Sequence, residues 1–261
     1  MDLQLNDRVF IVTGASAGIG AATAALLAAE GARIVGVARS PESLAALGPA
    51  AVSVAADLSR AGGADEAVSV ALDRFGRLDG VVNNVGALDS RTGFLSVTDE
   101  QWHEAFEINF HAAVRMTAAA LPALLAGGEG SLVHVTSEAA RLPDASFVDY
   151  AAAKTALLSV SKSLATEFGE RGVRSNIVAP GPTRTRLWDA PGGFADQLAE
   201  QFGLPVEEAI DHFVRDVRRV PVGRLGTPEG VARVIVYLLS PLAGQITGAE
   251  WSVDGGILRQ I

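Results

Sequence analysis

Tyr150-Ala151-Ala152-Ala153-Lys154 sets a phenol and an amine four residues apart, in a chain with only two tyrosines (Tyr150, Tyr237) and two lysines (Lys154, Lys162). On a helix, residues i and i+4 share a face. The three alanines between them leave that face open. An unperturbed phenol titrates near 10, too high for efficient proton transfer at neutral pH. A nearby ammonium favours the phenolate and lowers that value. The pair therefore suits acid/base work on a substrate oxygen, or else is a plain surface pair. Ser137 lies thirteen residues before Tyr150, just past the apolar run Leu132-Val133-His134-Val135. It stands at the carboxyl end of that strand, where its plain role is a turn or helix cap. Asn109 sits between Ile108 and Phe110 in a helical stretch, where asparagine has poor propensity and wants a partner. A structural amide and a functional one both fit that position.

A second group could hold an anion. The run Val9-Phe10-Ile11-Val12 ends in Thr13-Gly14-Ala15-Ser16-Ala17-Gly18-Ile19-Gly20, and a helical stretch follows. Glycines let a backbone approach a pyrophosphate, and a helix N-terminus offers unpaired N–H groups and a favourable dipole. The spacing G-x-x-x-G-x-G differs from the G-x-G-x-x-G dinucleotide fingerprint. The turn reads as a phosphate site or as a tight strand–helix turn without a ligand. Its place in the first βαβ unit favours the ligand, because open α/β sheets bind at the carboxyl ends of their strands. An acid ending the second strand would bind a ribose 2′-OH and repel a 2′-phosphate. That strand ends Val37-Ala38-Arg39-Ser40 instead. Arg39 suits the 2′-phosphate of NADP(H), since guanidinium matches phosphate oxygens; otherwise it is an ordinary exposed arginine. NADP(H) is favoured over NAD(H) on this ground.

The elements that position these groups alternate. Strands are expected at Val9–Val12, Ile34–Val37, Val52–Ala55 (weaker), Gly80–Val82, Leu132–Val135, Val173–Val178 and Trp251–Val253. Helices are expected at Ala21–Glu30, Asp65–Phe75, from the capping box Thr98-Asp99-Glu100-Gln101 to Leu125, at Tyr150–Arg171, and from Pro228 to Leu239. Alternation implies a parallel sheet covered on both faces, which suits continuously apolar strands. The fold class is α/β: a Rossmann-type doubly wound parallel sheet of about seven strands in one domain, 1–261. A Gly-, Pro- and charge-rich insertion at about 182–222 should carry one or two helices and close over the substrate.

Six motifs in order resemble a short-chain dehydrogenase/reductase. They are the glycine turn, Asn83-Asn84-Val85-Gly86, Ser137, Tyr150-x-x-x-Lys154, Asn176-x-x-x-Pro180-Gly181-x-x-x-Thr185 and Asp254-Gly255-Gly256, spread from Asp7 to Gly256. The resemblance implies that Tyr150 passes the substrate proton, Lys154 lowers its pKa and holds the nicotinamide ribose, Ser137 binds the substrate oxygen, and Asn109 supports a proton-relaying water. It implies that Gly14, Ser16, Ala17, Gly18, Ile19 and Gly20 hold the cofactor, with Asp57 on the adenine amino group, Leu58 beside it, and Asn83 and Gly86 at the adenosine ribose. Pro180, Gly181 and Thr183 would line the nicotinamide, and Thr185 would meet its carboxamide. Val85 stands where the family usually has alanine. Ala17 stands where many NADP(H)-preferring members have a basic residue.

Composition removes other classes. The 261 residues are 49% apolar with net charge -9, so a large core is available and no basic stripe invites nucleic acid. Without cysteine there are no disulfides, zinc–thiolate sites or thiol nucleophiles. The N-terminus does not read as a signal peptide, and no Ala-rich segment reads as a membrane span. A cytoplasmic protein is expected, as a homodimer or homotetramer by resemblance. His103, His111 and His212 lack ligand spacing, so no catalytic metal is expected. His134 reads as a core histidine; Glu138 and Asp149 flank candidate catalytic positions, or are plain solvated acids. Leu88, Asp89, Trp188 and Phe194 divide between loop packing and substrate contact. The activity expected is hydride transfer between a nicotinamide and a carbonyl or secondary alcohol. A nucleotide-binding regulator without turnover, or an epimerase or dehydratase, are the alternatives.

Overall fold

Seven short runs rich in valine and isoleucine pair edge to edge in the computed structural model, which describes residues 2–40 and 42–259. They are β1 (Val9–Thr13), β2 (Arg33–Ala38), β3 (Ala51–Ala55), β4 (Gly80–Asn83), β5 (Gly130–Val135), β6 (Val173–Pro180) and β7 (Glu250–Val253). Every pairing is parallel, in the order β3-β2-β1-β4-β5-β6-β7. β1, β4 and β5 are buried throughout because both of their faces are covered. β3 is an edge strand with only Val54 buried, in keeping with its weaker pattern.

Two apolar layers sandwich the sheet. On one face α1 (Gly18–Ala29) and α9 (Pro228–Leu239) bury Ala24, Leu27, Ile235 and Val236 against Phe10, Val12 and Val133. On the other, α2 (Gly63–Phe75) and α4 (Ala112–Gly127) bury Ala67, Ala71, Met116 and Leu124 against Ile11, Val81 and Leu132. Each fully buried Val, Leu, Ile, Phe or Met side chain among them contributes ~1.5–3 kcal/mol. α3 (Asp99–Phe106) runs into α4 through a π-turn, Glu107–His111, and its capping box forms as expected: Gln101 N–H donates to the Thr98 hydroxyl, and Thr98 N–H to the Gln101 side chain. α5 (Val148–Phe168) follows β5.

Two expectations change. The helical run Asp99–Gly127 is, by length and composition, apolar enough to cross a membrane. The core face that Ala112, Met116, Ala120 and Leu124 form against the sheet accounts for part of that apolarity. The insertion holds three helices: α6 (Arg186–Asp189), α7 (Phe194–Phe202) and α8 (Val206–His212), the last continued by a π-turn at Phe213–Val217. They form a small core of their own around Trp188, Leu198, Ile210 and Val214, with Phe194 and Phe213 packed on it edge to face.

The chain steps outward from β1 to β3 on one side and from β4 to β7 on the other. The strand order therefore reverses between β1 and β4. The crevice outside the carboxyl ends at such a switch point is where open α/β sheets bind ligands. Both the glycine turn and the 83–86 turn open there.

Candidate active site

Backbone bonds fix the cradle first. Gly14 N–H and Ala15 N–H both donate to the Val37 carbonyl, so the glycine turn hangs from the end of β2. The Thr13 hydroxyl donates to the Val82 carbonyl at 3.1 Å and accepts from Asn84 N–H at 2.9 Å and Val85 N–H at 3.0 Å. The Asn84 amide donates back to the Thr13 carbonyl at 3.0 Å. Thr13 and Asn84 thus lock the two turns together. At Gly20 a Cβ would stand 2.3 Å from the Gly14 carbonyl oxygen, so no side chain fits. α1 begins at an N-cap, Ala17, with no side-chain cap and no acid in its first turn. Those are the terms on which a helix N-terminus takes a phosphate, and the residues present fit a dinucleotide.

The reactive groups gather beyond this cradle. Ser137 opens a 3-10 turn, its hydroxyl accepting from Ala139 N–H at 3.1 Å and donating to Glu138 Oε2 at 2.8 Å. Thr155, one residue past Lys154, ties α5 to that turn by donating to the Ala140 carbonyl. Lys154 Nζ donates to the Val135 carbonyl at 3.0 Å and lies 5.7 Å from the centre of the Tyr150 ring. Gly86 lets the 83–86 turn approach: a Cβ there would meet Asn109 Oδ1 at 2.8 Å and Lys154 Nζ at 3.1 Å. The π-turn explains Asn109. Its amide donates to the Ala87 and Ala105 carbonyls and its oxygen accepts from Ala87 N–H, pinning the loop after β4. A structural amide is therefore present in full.

Electrostatics depart from the simple picture of a lysine-lowered phenol. Burial pushes the Tyr150 phenol up to about 12; the Ser137 hydroxyl pulls the other way and the Glu138 charge adds to the rise. Burial also pulls Lys154 down to about 8. Its ammonium, held by the Val135 carbonyl and lying over the ring, does not offset the burial of the phenol. His134 is fully buried beside the Asn83 amide, 3.2 Å away, and is held neutral with its pKa pushed down to about 4, by burial first and then by Lys154.

Of the two readings open for Glu138 and Asp149, that of solvated acids falls: both are buried. Glu138 accepts from Arg218 at 2.9 Å, and Asp149 from Arg91 at 2.7 Å and from the Tyr150 N–H at 3.0 Å. Arg91, Asp149 and Arg218 carry no local signal, because their partners lie 58 and 80 residues away.

The remaining expected residues fall as follows. Ala17 is exposed and Ser16 and Ile19 partly exposed in the glycine turn, while Gly18 faces the Thr185 methyl. Arg39 is exposed just past β2, near enough to Asp57 to help lower its pKa, after the dominant hydrogen bonds from Ser59. Leu58 is buried. The Asn83 amide is buried against Thr117 and His134, so only its main chain can serve a ribose. Pro180 ends β6, Gly181 N–H donates to the Val253 carbonyl, and the Thr183 hydroxyl donates to the Gly181 carbonyl. Asn176 and Asp254 are structural: Asn176 bonds Ile246 and Ala249, and Asp254 accepts from Gly256 and Leu258 N–H. Trp188 is packing, buried in the core of the insert. Among the described residues no group of three or more His, Asp or Glu is placed to hold a metal.

Comparison with known proteins gives the family. Residues 14–258 match the family described as Enoyl-(Acyl carrier protein) reductase. The chain is 34% identical to the uncharacterized oxidoreductase YvrD of Bacillus subtilis over the whole of both chains. It is also 34% identical to the short-chain reductase NovJ of Streptomyces niveus, over 96% of this chain and 94% of that one. The crystal structure of L-sorbose reductase from Gluconobacter frateurii, complexed with NADPH and L-sorbose, superposes with a TM-score of 0.92 at 32% identity, over all of both chains. The chain belongs to the short-chain dehydrogenase/reductase family and is an oxidoreductase.

Proposed function

We propose that this oxidoreductase reduces a carbonyl compound to a secondary alcohol, with NADPH favoured over NADH and Tyr150 as the proton donor. The observation that carries the reading is the placement of Tyr150 and Lys154 four residues apart on α5, Nζ 5.7 Å from the phenol ring centre, with Ser137 on the sheet edge that bears the glycine cradle; burial keeps the phenol protonated. A group protonated at neutral pH is ready to donate as the carbonyl oxygen gains charge. The nicotinamide, when bound, supplies the hydride. Ser137 and Tyr150 hold the substrate oxygen. Lys154 compensates the phenolate that donation leaves behind, and Asn109 keeps the 86–87 loop in place. Gly14, Gly18 and Gly20 would cradle the pyrophosphate, and Arg39 would pair with the 2′-phosphate. Asp57, Leu58 and the main chain of Asn83 and Gly86 would hold the adenosine half. Pro180, Gly181, Thr183 and Thr185 would border the nicotinamide. The insert excludes water.

NADPH and L-sorbose in the related reductase support a small carbonyl substrate. We read the protein as a cytoplasmic homodimer or homotetramer; the apolar run Asp99–Gly127, of whose most apolar stretch 33% is buried, supports the self-association. The test is nicotinamide absorbance against a panel of ketones, diketones and ketoses with each cofactor. Turnover with NADPH well above that with NADH is expected. Turnover with NADH alone would contradict the role of Arg39.

A further inference from the structure

Arg115, on α4, is a cation that the proposed reaction does not use, and it reaches from the helix to the turn after β3. Nη1 donates to the Ser59 carbonyl at 3.1 Å and, more weakly, to the Leu58 carbonyl at 3.4 Å. Nη2 donates to Glu107 Oε2 at 2.6 Å. Glu107 opens the π-turn, eight residues before Arg115. On a regular α-helix a separation of eight sets two side chains about 80° apart, and the residue that a π-turn inserts brings them back to about 20°. The π-turn that seats Asn109 therefore also aims Glu107 at Arg115. The pair is 34% and 41% exposed, so it adds little to stability.

The effect of these bonds is felt in the turn. The Leu58–Ser59 peptide is held at both ends: its carbonyl accepts from Arg115, and its N–H donates to Asp57 Oδ1 at 3.0 Å. The same oxygen accepts from the Ser59 hydroxyl at 2.7 Å. These two bonds from Ser59 hold the Asp57 carboxyl below its ordinary range, so it is ionised at neutral pH. Asp57 Oδ2 lies 3.8 Å from Arg60 Nε, beyond hydrogen-bond reach, on a side chain that is 39% exposed. That oxygen can accept from a ligand N–H. We propose that Arg115 is a positioning residue for the adenine half of the nucleotide: it clamps the 57–59 turn so that Asp57 presents Oδ2 to the exocyclic amine, and Glu107 holds Arg115 in place. The proposal rests on the reading that puts the adenosine half at Asp57 and Leu58.

Arg115→Met keeps a good helix former and removes the donors. NADPH and 2′,5′-ADP should each bind about tenfold more weakly, by fluorescence titration and by competition. Reduced nicotinamide mononucleotide, which lacks the adenosine half, should bind as it does to wild type. Arg115→Lys, which keeps one donor to a carbonyl, should recover part of the loss. A loss for 2′,5′-ADP of less than about twofold, or an equal loss for the mononucleotide, would overturn the proposal. Amide exchange supplies a readout that needs no nucleotide. The Ser59 N–H should exchange faster in Arg115→Met, while the Gly14 and Ala15 N–H groups, bonded to the Val37 carbonyl, keep their protection. Unchanged exchange at Ser59 would also overturn it. If wild type binds neither NADPH nor 2′,5′-ADP, the reading of the nucleotide site fails, and the exchange at Ser59 decides the clamp by itself.

Discussion

The carboxyl edge of the sheet and the insert that lies over it are held by different forces. At the edge, neighbouring strand ends are stitched by main-chain bonds and by short side chains that serve them: Thr13, Asn84 and Asn109 bond backbone groups of adjacent turns, and Ser137 caps its own. The insert has a separate small core, and charged pairs such as Arg184–Glu207 and Arg218–Glu138 brace it. The first arrangement fixes reacting groups against one another. The second is held by its own core and by ion pairs rather than by strand pairing.

That contrast can be broken from the edge side. The largest effect on stability is expected at Asp149, which is 1% exposed and pairs with Arg91 in the loop after β4. Asp149→Ala strands the arginine and should cost about 3–5 kcal/mol in urea unfolding; a loss below 1 kcal/mol would mean the pair is idle. Gly20→Val comes next. With 2.3 Å to the Gly14 carbonyl, the cradle must open, at about 3 kcal/mol, and NADPH affinity should fall about a hundredfold by fluorescence titration.

His134 sharpens the comparison through pH. Its folded pKa, about 4, lies below the unfolded value of about 6.5, so the unfolded chain takes up the proton first. Stability present above pH 6.5 is lost as pH falls toward 4, by about 2 kcal/mol between pH 7.5 and 5. Glu138, raised by burial, contributes with the opposite sign. The quantity to measure is therefore the difference in slope between wild type and His134→Gln, which should be flatter in the variant. At the small end stands the exposed Arg184–Glu207 pair on the insert. Arg184→Gln should leave the unfolding midpoint unchanged, because solvent screens such pairs.

Legibility in the sequence follows the same division. β1, β4 and β5 announce themselves because burial on both faces demands unbroken apolar runs, and the Thr98–Gln101 box and Pro228 mark helix starts by local chemistry. Helix α1 starts three residues earlier than the apolar pattern suggests, at Gly18, since the glycines that admit a phosphate also accept helical dihedrals. The π-turn was visible only as a misplaced asparagine. The sequence leaves Glu138 open between a neighbour of the candidate serine and a solvated acid. Its burial comes from Arg218, 80 residues away, and no spacing rule reaches that far. The rise in the Tyr150 pKa was hidden for a similar reason: adjacency to Lys154 is local, whereas desolvation depends on everything packed around the ring.

The central claim is that Tyr150 gives the proton at this edge. The most direct test is Tyr150→Phe, assayed for NADPH-dependent carbonyl reduction and, in parallel, for NADPH binding. The account predicts turnover reduced by about 10²–10⁴-fold with NADPH affinity within about threefold of wild type. Turnover within tenfold of wild type, with cofactor still bound, would contradict it.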